Sequence, residues 1–450
     1  MKLKANTPLN VFLAFGSDER VLVGRLAMDG NVGVFEYAAD FARHGLELNP
    51  LRRQHGSGLH RAAMPREFDG LHGIFSDSLP DAWGQALIRR LAGKRNVPFR
   101  SLTAIDKLGI VGQRGPGALV YEPALKRDDV DEINLDALAN ESLSILEGEG
   151  ESDVSLLERV GGSSGGARPK ALVGIDARGH IVAGDATLPD GYDAWIVKFR
   201  SSKNDLPDVS GLEATYAGMA RAAGIRMAET RLLPAQTPAS GYFATKRFDR
   251  RAGNRRLHMS SVCALAEAPW EYGSIDYGDL HNIVRYVTRD HQAVELIFRR
   301  MVFNVLAHNR DDHTKQHAFL MDENGKWQLA PAYDLTYSGG PGNEHYLAVN
   351  GRGGDDITVN DLLAVGRKQS LNEPAMREVI EQVSETVHRF GEFAAPYGTS
   401  TDTTREVSRV LEAELQRVHG RIVAIPSVGG EDSDAAVTQK YEGRSQEGEF

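Results

Sequence analysis

The sequence predicts an α+β protein built from a β-rich start, a mixed middle and a helical end. Three observations carry this. Short alternating apolar runs separated by glycines fill residues 1–125, strands with a single helix occupy 161–255, and the chain beyond about 256 is mainly helical. A chain of 450 residues suits two or three domains at about 100–200 residues each. Its 41% hydrophobic and 25% charged residues exclude a disordered, fibrous or disulfide-stapled protein.

The first domain, 1–125, begins with LNVFLAF, VLVGRLAM and VGVFEYA, whose alternation and turn glycines Gly24, Gly30 and Gly33 predict a small sheet or barrel. SLPDAWGQALIRRLAGKRN (78–96) reads as a helix with Pro80 at its start and apolar spacing at Ala82, Ala86, Leu87 and Leu91. Residues 126–160 form an acidic connector. Within it, 128–160 hold eleven acids against Arg159 alone, which accounts for the whole net charge of −10 and leaves the rest of the chain neutral. Such a run reads as a solvated helical link. The chain therefore lacks the basic footprint of a protein that binds nucleic acid by itself.

The second domain, 161–255, contains the strand-like runs KALVGID, HIVAGD, AWIVKFR, ETRLLPA and GYFATKRFD. Between them lies a helix over 211–223, with Leu212, Tyr216, Met219, Ala220 and Ala223 on one face and Gly224 as its stop. The third domain, 256–426, includes the long apolar helix VELIFRRMVFNVLA (294–307). The last stretch, 427–450, lacks apolar periodicity and reads as a disordered tail. The lone cysteine, Cys263, allows no internal disulfide and fits a reducing, cytoplasmic compartment. No secretory signal and no membrane span is expected from the apolar runs.

Three segments could carry chemistry. VGGSSGGARPKAL (160–172) places Gly162, Ser163, Ser164, Gly165 and Gly166 before Arg168 and Lys170. Glycines let backbone N–H groups converge on an anion, so the stretch suits a phosphate cradle, although it lacks the Gly-Lys-Ser/Thr of a Walker loop. In AWIVKFR, alternation turns Trp195, Val197 and Phe199 one way and Ile196 and Lys198 the other. A lysine there needs an anionic partner unless it points to solvent, and Glu213 on the following helix is a candidate. HNRDDHTKQH (308–317) follows the long helix. The hairpin turn Asp-Glu-Asn-Gly (322–325) should then fold WQLAPAYD, and with it Asp334, back toward Asp311 and Asp312.

Two reaction classes compete for the last cluster. A hydrolase would use His308, Asp311, Asp312, His313 and His317 around a transition metal. A phosphotransferase would use one aspartate to orient an acceptor hydroxyl, with Gln316 and Asp334 holding Mg²⁺. Only the second gives the glycine stretch and Lys198 a role, and it is preferred on that ground.

Taken in order, GGSSGGARPK, WIVKF, GLEATYAGMARAAGI, KRFDR, NRDDHTKQHAFL and APAYDLTYS resemble the HipA family of serine/threonine kinases, the toxins of type II toxin–antitoxin modules. GIFSDSLPDAWGQALI (73–88) and GQRGPGALVYEP (112–123) resemble the N-terminal subdomain of the same family, so the likeness runs over about 1–425. It implies a two-lobed, protein-kinase-like fold with a small β-rich, barrel-like N-terminal subdomain and an all-helical C-terminal lobe. It also implies ATP and Mg²⁺.

By this resemblance Lys198 is the ATP-phosphate lysine, Glu213 its helix glutamate, and Phe248 lies at the adenine hinge. Asp311 is the catalytic aspartate, His313 its loop neighbour, and Asp334 the magnesium aspartate. Ser163, with Ser164 beside it, aligns with a serine that becomes autophosphorylated and inactivates the kinase. The implied partners are a HipB-like helix-turn-helix antitoxin, with DNA reached only through it, and a protein substrate such as an aminoacyl-tRNA synthetase. Gln316 replaces the family's common asparagine, and Asp312 replaces a glycine found in some members. The first departure leaves room for a catalytically weak pseudokinase that acts as an antitoxin-binding co-repressor.

Overall fold

The computed structural model describes residues 6–52, 58–125, 132–146, 168–184, 187–201, 208–236 and 241–420. The glycine-rich stretch with Gly162, Ser163, Ser164, Gly165 and Gly166, most of the acidic connector and the tail after 420 lie outside the described residues. Two compact units emerge. The first comprises Met1–Asn204, Ala228–Glu267 and Ala318–Ala330, and the second Asp205–Met227, Ala268–His317 and Pro331–Phe450.

The first unit holds the sheets. An antiparallel sheet of five strands runs, edge to edge, Leu59–Arg61, Val32–Tyr37, Arg20–Asp29, Leu9–Ala14 and Leu119–Glu122. Leu9, Val11 and Leu13 point into its core while Asn10 between them is exposed, the period-two pattern of a half-buried strand. Register shifts between Val11 and Phe12, opposite Gly24. A Cβ on Gly24 would lie 2.2 Å from the Glu36 carbonyl oxygen, so only glycine fits that close strand approach.

The second five-stranded antiparallel sheet runs Ile181–Ala183, Lys170–Ile175, Asp193–Lys198, Tyr242–Lys246 and Thr230–Leu233. Trp195, Val197 and Phe199 are buried on one face, as alternation predicts. They share a core with Trp83 and Leu87 of helix Ala82–Lys94 and with Leu135, Leu138, Ala139 and Ile145 of helix Leu135–Leu146. The acidic connector is thus not wholly a solvated link: its described helix buries an apolar face. Even its Asp136 turns to the sheet, where it accepts from Tyr242 Oη at 2.7 Å. A third sheet joins His258–Ser261 to the hairpin Ala318–Met321 and Trp327–Leu329. The turn requires Gly325 at φ 78°, and the Asp322 carboxylate accepts from the Asn324 and Lys326 amides.

The second unit is helical, with no strand beyond isolated bridges among the described residues. Helix His291–Leu306 starts at Asp290, whose carboxylate accepts from the Gln292 amide, and buries Ile297, Met301, Phe303 and Leu306. Around it in the same unit lie Val209–Ala222, Tyr277–Thr288, Val359–Lys368, Glu373–His388 and Thr401–Val418. Among the described residues no helix is long and apolar enough to cross a membrane.

Candidate active site

Helix His291–Leu306 ends where His308 adopts φ 48°, and the chain turns into the polar loop 308–317. The loop is pinned on its backbone. The Arg310 amide donates to the Ser338 carbonyl at 3.0 Å and the Ser338 amide to His308 at 3.1 Å, while Thr314 Oγ1 donates to the Ala268 carbonyl at 2.9 Å. A short 3-10 turn, Thr314–Gln316, then presents Gln316 to Asp334: Nε2 donates to Oδ2 at 3.2 Å. Asp334 itself takes φ 56°, a left-handed conformation.

Asp311 is half exposed, with 43% of its side-chain surface accessible, and its Oδ1 lies 3.5 Å from His313 Nε2. Burial pushes its carboxyl above the ordinary carboxylate range, and the charges of Asp334 and Asp312 add to that; His313 and a hydrogen bond from Gln316 work the other way. Gln316 is thus bonded to Asp334 and acts on the Asp311 carboxyl as well. His313 is braced by the rings of Trp270 and Tyr346, with centroids at 5.2 and 5.3 Å.

Asp312 has a different part. Its side chain is fully buried, and it accepts from Tyr277 Oη at 2.7 Å, His345 Nδ1 at 2.9 Å and the Tyr346 amide at 2.9 Å. Asn304, the polar residue inside the apolar helix, donates to Tyr277 Oη at 2.9 Å and accepts from Asn309. This network is structural support for the loop, and with every donor aimed inward Asp312 has no oxygen left to reach outward. Its partners lie 33–35 residues away in sequence, beyond the reach of a local motif. Asn304 was the one available signal, a lone amide in VFNVLA.

The site residues expected from the sequence divide between the units. Asp311, His313, Gln316 and Asp334 come together in the second. Glu213, also there, is buried on helix Val209–Ala222. Lys198 ends strand Asp193–Lys198 in the first unit, its Nζ 5.6 Å from the Phe243 ring centroid. Phe248 is half-buried just after strand Tyr242–Lys246.

Lys170 has an anion of its own. Its ammonium is buried and held 3.2 Å from Asp81 Oδ2, and Asp81 in turn caps helix Ala82–Lys94 through the Gly84 amide at 2.7 Å. Lys170 is thereby held in an internal ion pair. The metal-hydrolase arrangement fails to form. Among the described residues no three His, Cys, Asp or Glu side chains cluster as metal ligands. His308 turns to Glu414, and His317 is buried beside Tyr277.

These features define a class: an antiparallel sheet with a strand lysine, and a helical unit whose loop sets an aspartate beside a second aspartate and an amide. The HipA-like C-terminal domain matches residues 162–390 and the HipA N-terminal domain matches 17–122. The chain belongs to the HipA family.

Its fold is that of a chain in the Shewanella oneidensis MR-1 toxin–antitoxin complex of HipA, HipB and operator DNA, with TM-score 0.63 and 18% identity over 93% of this chain and 100% of that one. A kinase from Helicobacter pylori, the proinflammatory CtkA, aligns at TM-score 0.34 and 15% identity, covering 51% of this chain and 89% of that one. A curated Haemophilus influenzae protein described as "Putative kinase" is 28% identical over 103 residues, 21% of this chain. The match spans only 30% of that relative's length.

Proposed function

We propose that the chain is a HipA-type protein kinase that transfers the γ-phosphoryl of ATP to a serine or threonine hydroxyl of a protein. The observation that carries this is the grouping of Asp311, Asp334 and Gln316: the Asp311 carboxyl is raised first by burial, with the charges of Asp334 and Asp312 adding to it against His313, and Gln316 bonds Asp334 beside it. Carboxylates and an amide grouped in this way supply the oxygen donors that a divalent cation takes. Gln316 now gives its N–H to Asp334, and turning the amide over offers its oxygen in the same place. Asp334 and Gln316 would hold Mg²⁺, which supplies charge neutralisation for a triphosphate.

Asp311, the exposed carboxyl, orients the acceptor hydroxyl and receives its proton, with His313 fixing its direction from 3.5 Å. Lys198 and the backbone N–H groups of 161–166 bind the phosphates, Glu213 positions the lysine, and Phe248 contacts the adenine. Ser163, or Ser164 beside it, receives a phosphoryl group in a self-inactivating reaction, because added charge of about −1.5 to −2 there repels the phosphates of ATP. The substrate is a translation component such as an aminoacyl-tRNA synthetase, so that transfer arrests translation and growth. A HipB-like antitoxin is the partner and the route to DNA, in keeping with the chain's lack of basic excess.

Incubation with γ-labelled ATP and Mg²⁺, then intact mass and peptide mapping, tests the proposal with Asp311→Asn as control. Phosphate on Ser163 or Ser164, absent from the control, supports it. ATP binding with no transfer to itself or to a synthetase favours the co-repressor reading, for which the Gln316 substitution is the supporting observation.

A further inference from the structure

Asp311 is flanked by two residues that are fully committed to the interior. Asp312 ties the loop to His345 and Tyr346. On the other side Arg310, only 1% exposed, sets one guanidinium nitrogen 2.6 Å from Asp355 Oδ1 and 3.4 Å from Glu414 Oε2 and donates from the other to the Asn343 carbonyl. Apart from Glu414, both sets of ties end on one stretch of chain, 338–355, which follows Asp334. The stretch lies against the loop so closely that a Cβ on Gly340 would meet Arg310 Cβ at 2.8 Å.

Glu414 belongs to helix Thr401–Val418 and is gripped again by His308 Nδ1 at 3.4 Å and by Arg417. Burial would by itself raise the Glu414 carboxyl. The His308 hydrogen bond and the Arg417 and Arg310 charges outweigh it and keep the group ionised.

In kinases switched on by phosphorylation, the segment after the metal aspartate becomes ordered when its new phosphate meets an arginine. In this chain Arg310 already has its anions. We propose that Glu414 and Asp355 are built-in counterparts of an activating phosphate: through Arg310 they hold segment 338–355 and Asp311 in working position with no modification of that segment. Arg310 and Glu414 are positioning residues, since neither is placed to touch a substrate. The proposal rests on the kinase reading of Asp311, and it predicts a kinase that is active as synthesised and is regulated elsewhere.

The test is made on the full chain, shown by mass mapping to carry no phosphate between 335 and 358. Hydrogen exchange should find the Arg310, Ser338 and His345 amides protected, because each donates to a backbone carbonyl. In Glu414→Gln/Asp355→Asn their protection should fall at least tenfold. Asp355 is 63% exposed, so Asp355→Asn alone keeps the fold and should give a smaller loss in the same amides.

In the transfer assay the double variant should lose at least tenfold in kcat with the KM for ATP within twofold. Glu414→Asp should recover part of the loss, and adding Arg310→Met should cost nothing further. Unchanged protection in the variants, multiplying losses, or a wild-type rate that rises only on phosphorylation within 335–358 would each overturn the proposal. If the wild type transfers no phosphoryl at all, the kinase reading fails, and the exchange measurement decides the brace by itself.

Discussion

Asp249, in the first unit, and Asp311, in the second, are carboxylates beside arginines in the sequence, yet they meet opposite surroundings. Asp249 is buried. It receives Arg247 Nε at 3.0 Å and Nη2 at 2.6 Å, Arg250 Nη1 at 2.8 Å and the Gly117 amide at 2.7 Å. Burial would raise its carboxyl, but the Arg247 and Arg250 charges and those hydrogen bonds win and hold it well below the usual carboxylate range. Around Asp311 burial acts in the same direction as Asp334 and Asp312, so its carboxyl rises. Arg310, its neighbour in sequence, is turned away to Asp355 and Glu414. The opposite shifts separate a carboxylate paired by arginines from one crowded by other carboxylates.

The largest effect that could break this contrast is on rate. Asp311→Asn should reduce phosphoryl transfer by about 10²–10⁴-fold, the usual range for a positioned proton acceptor, and leave ATP affinity within a few-fold. Single-turnover kinetics alongside equilibrium nucleotide binding would check it. Wild-type rates in that variant would remove Asp311 from the chemistry.

The comparison predicts a change of another kind for Asp249→Asn. Removing one member of a buried ion cluster leaves two guanidiniums without their carboxylate and should cost about 3–5 kcal/mol. Denaturant midpoints at constant slope give the number. A loss below about 1 kcal/mol would mean that the cluster is not architectural.

The two motifs that build this cluster are both visible in the sequence, but their partnership is not. GQRGPGALVYEP supplies the Gly115 carbonyl and Gly117 amide, and KRFDR supplies Arg247 and Asp249 some 132 residues later. Local rules recovered helix Ala82–Lys94, the strand alternation at Trp195 and Val197, and the hairpin after Met321, because caps, periodicity and turn residues act over a few positions. The same limit applies to Lys170. Its glycine-rich neighbourhood suggested an anion, whereas Asp81, 89 residues earlier, already supplies one. At the site the motif NRDDH could name Asp311 but could not say that one of its two aspartates faces out and the other in. That choice is made by Tyr277 and His345.

The smallest predicted effect sharpens the contrast most, because the two aspartates should give pH dependences of opposite sign. Asp249 has a depressed native pKa. Its contribution is present above about pH 4, the unfolded value, and fades as pH falls toward the depressed native one. The stability gap between wild type and Asp249→Asn should therefore narrow on acidification below about pH 4.

Asp311 has a raised native pKa, so the folded state favours its protonated form. Relative to Asp311→Asn, the wild type should be on a par below about pH 4 and lose stability as pH rises through the native value. With nearly half of that side chain in solvent, screening limits the effect to under about 1 kcal/mol. Mg²⁺ should close this gap at pH 7 by adding positive charge beside the carboxylates, and it should leave the Asp249 gap untouched. Midpoints of both variants across pH 3–7, with and without Mg²⁺, would show it. A gap of the same sign for both aspartates would mean that the charge around Asp311 is balanced after all, and would remove the physical ground for a cation there.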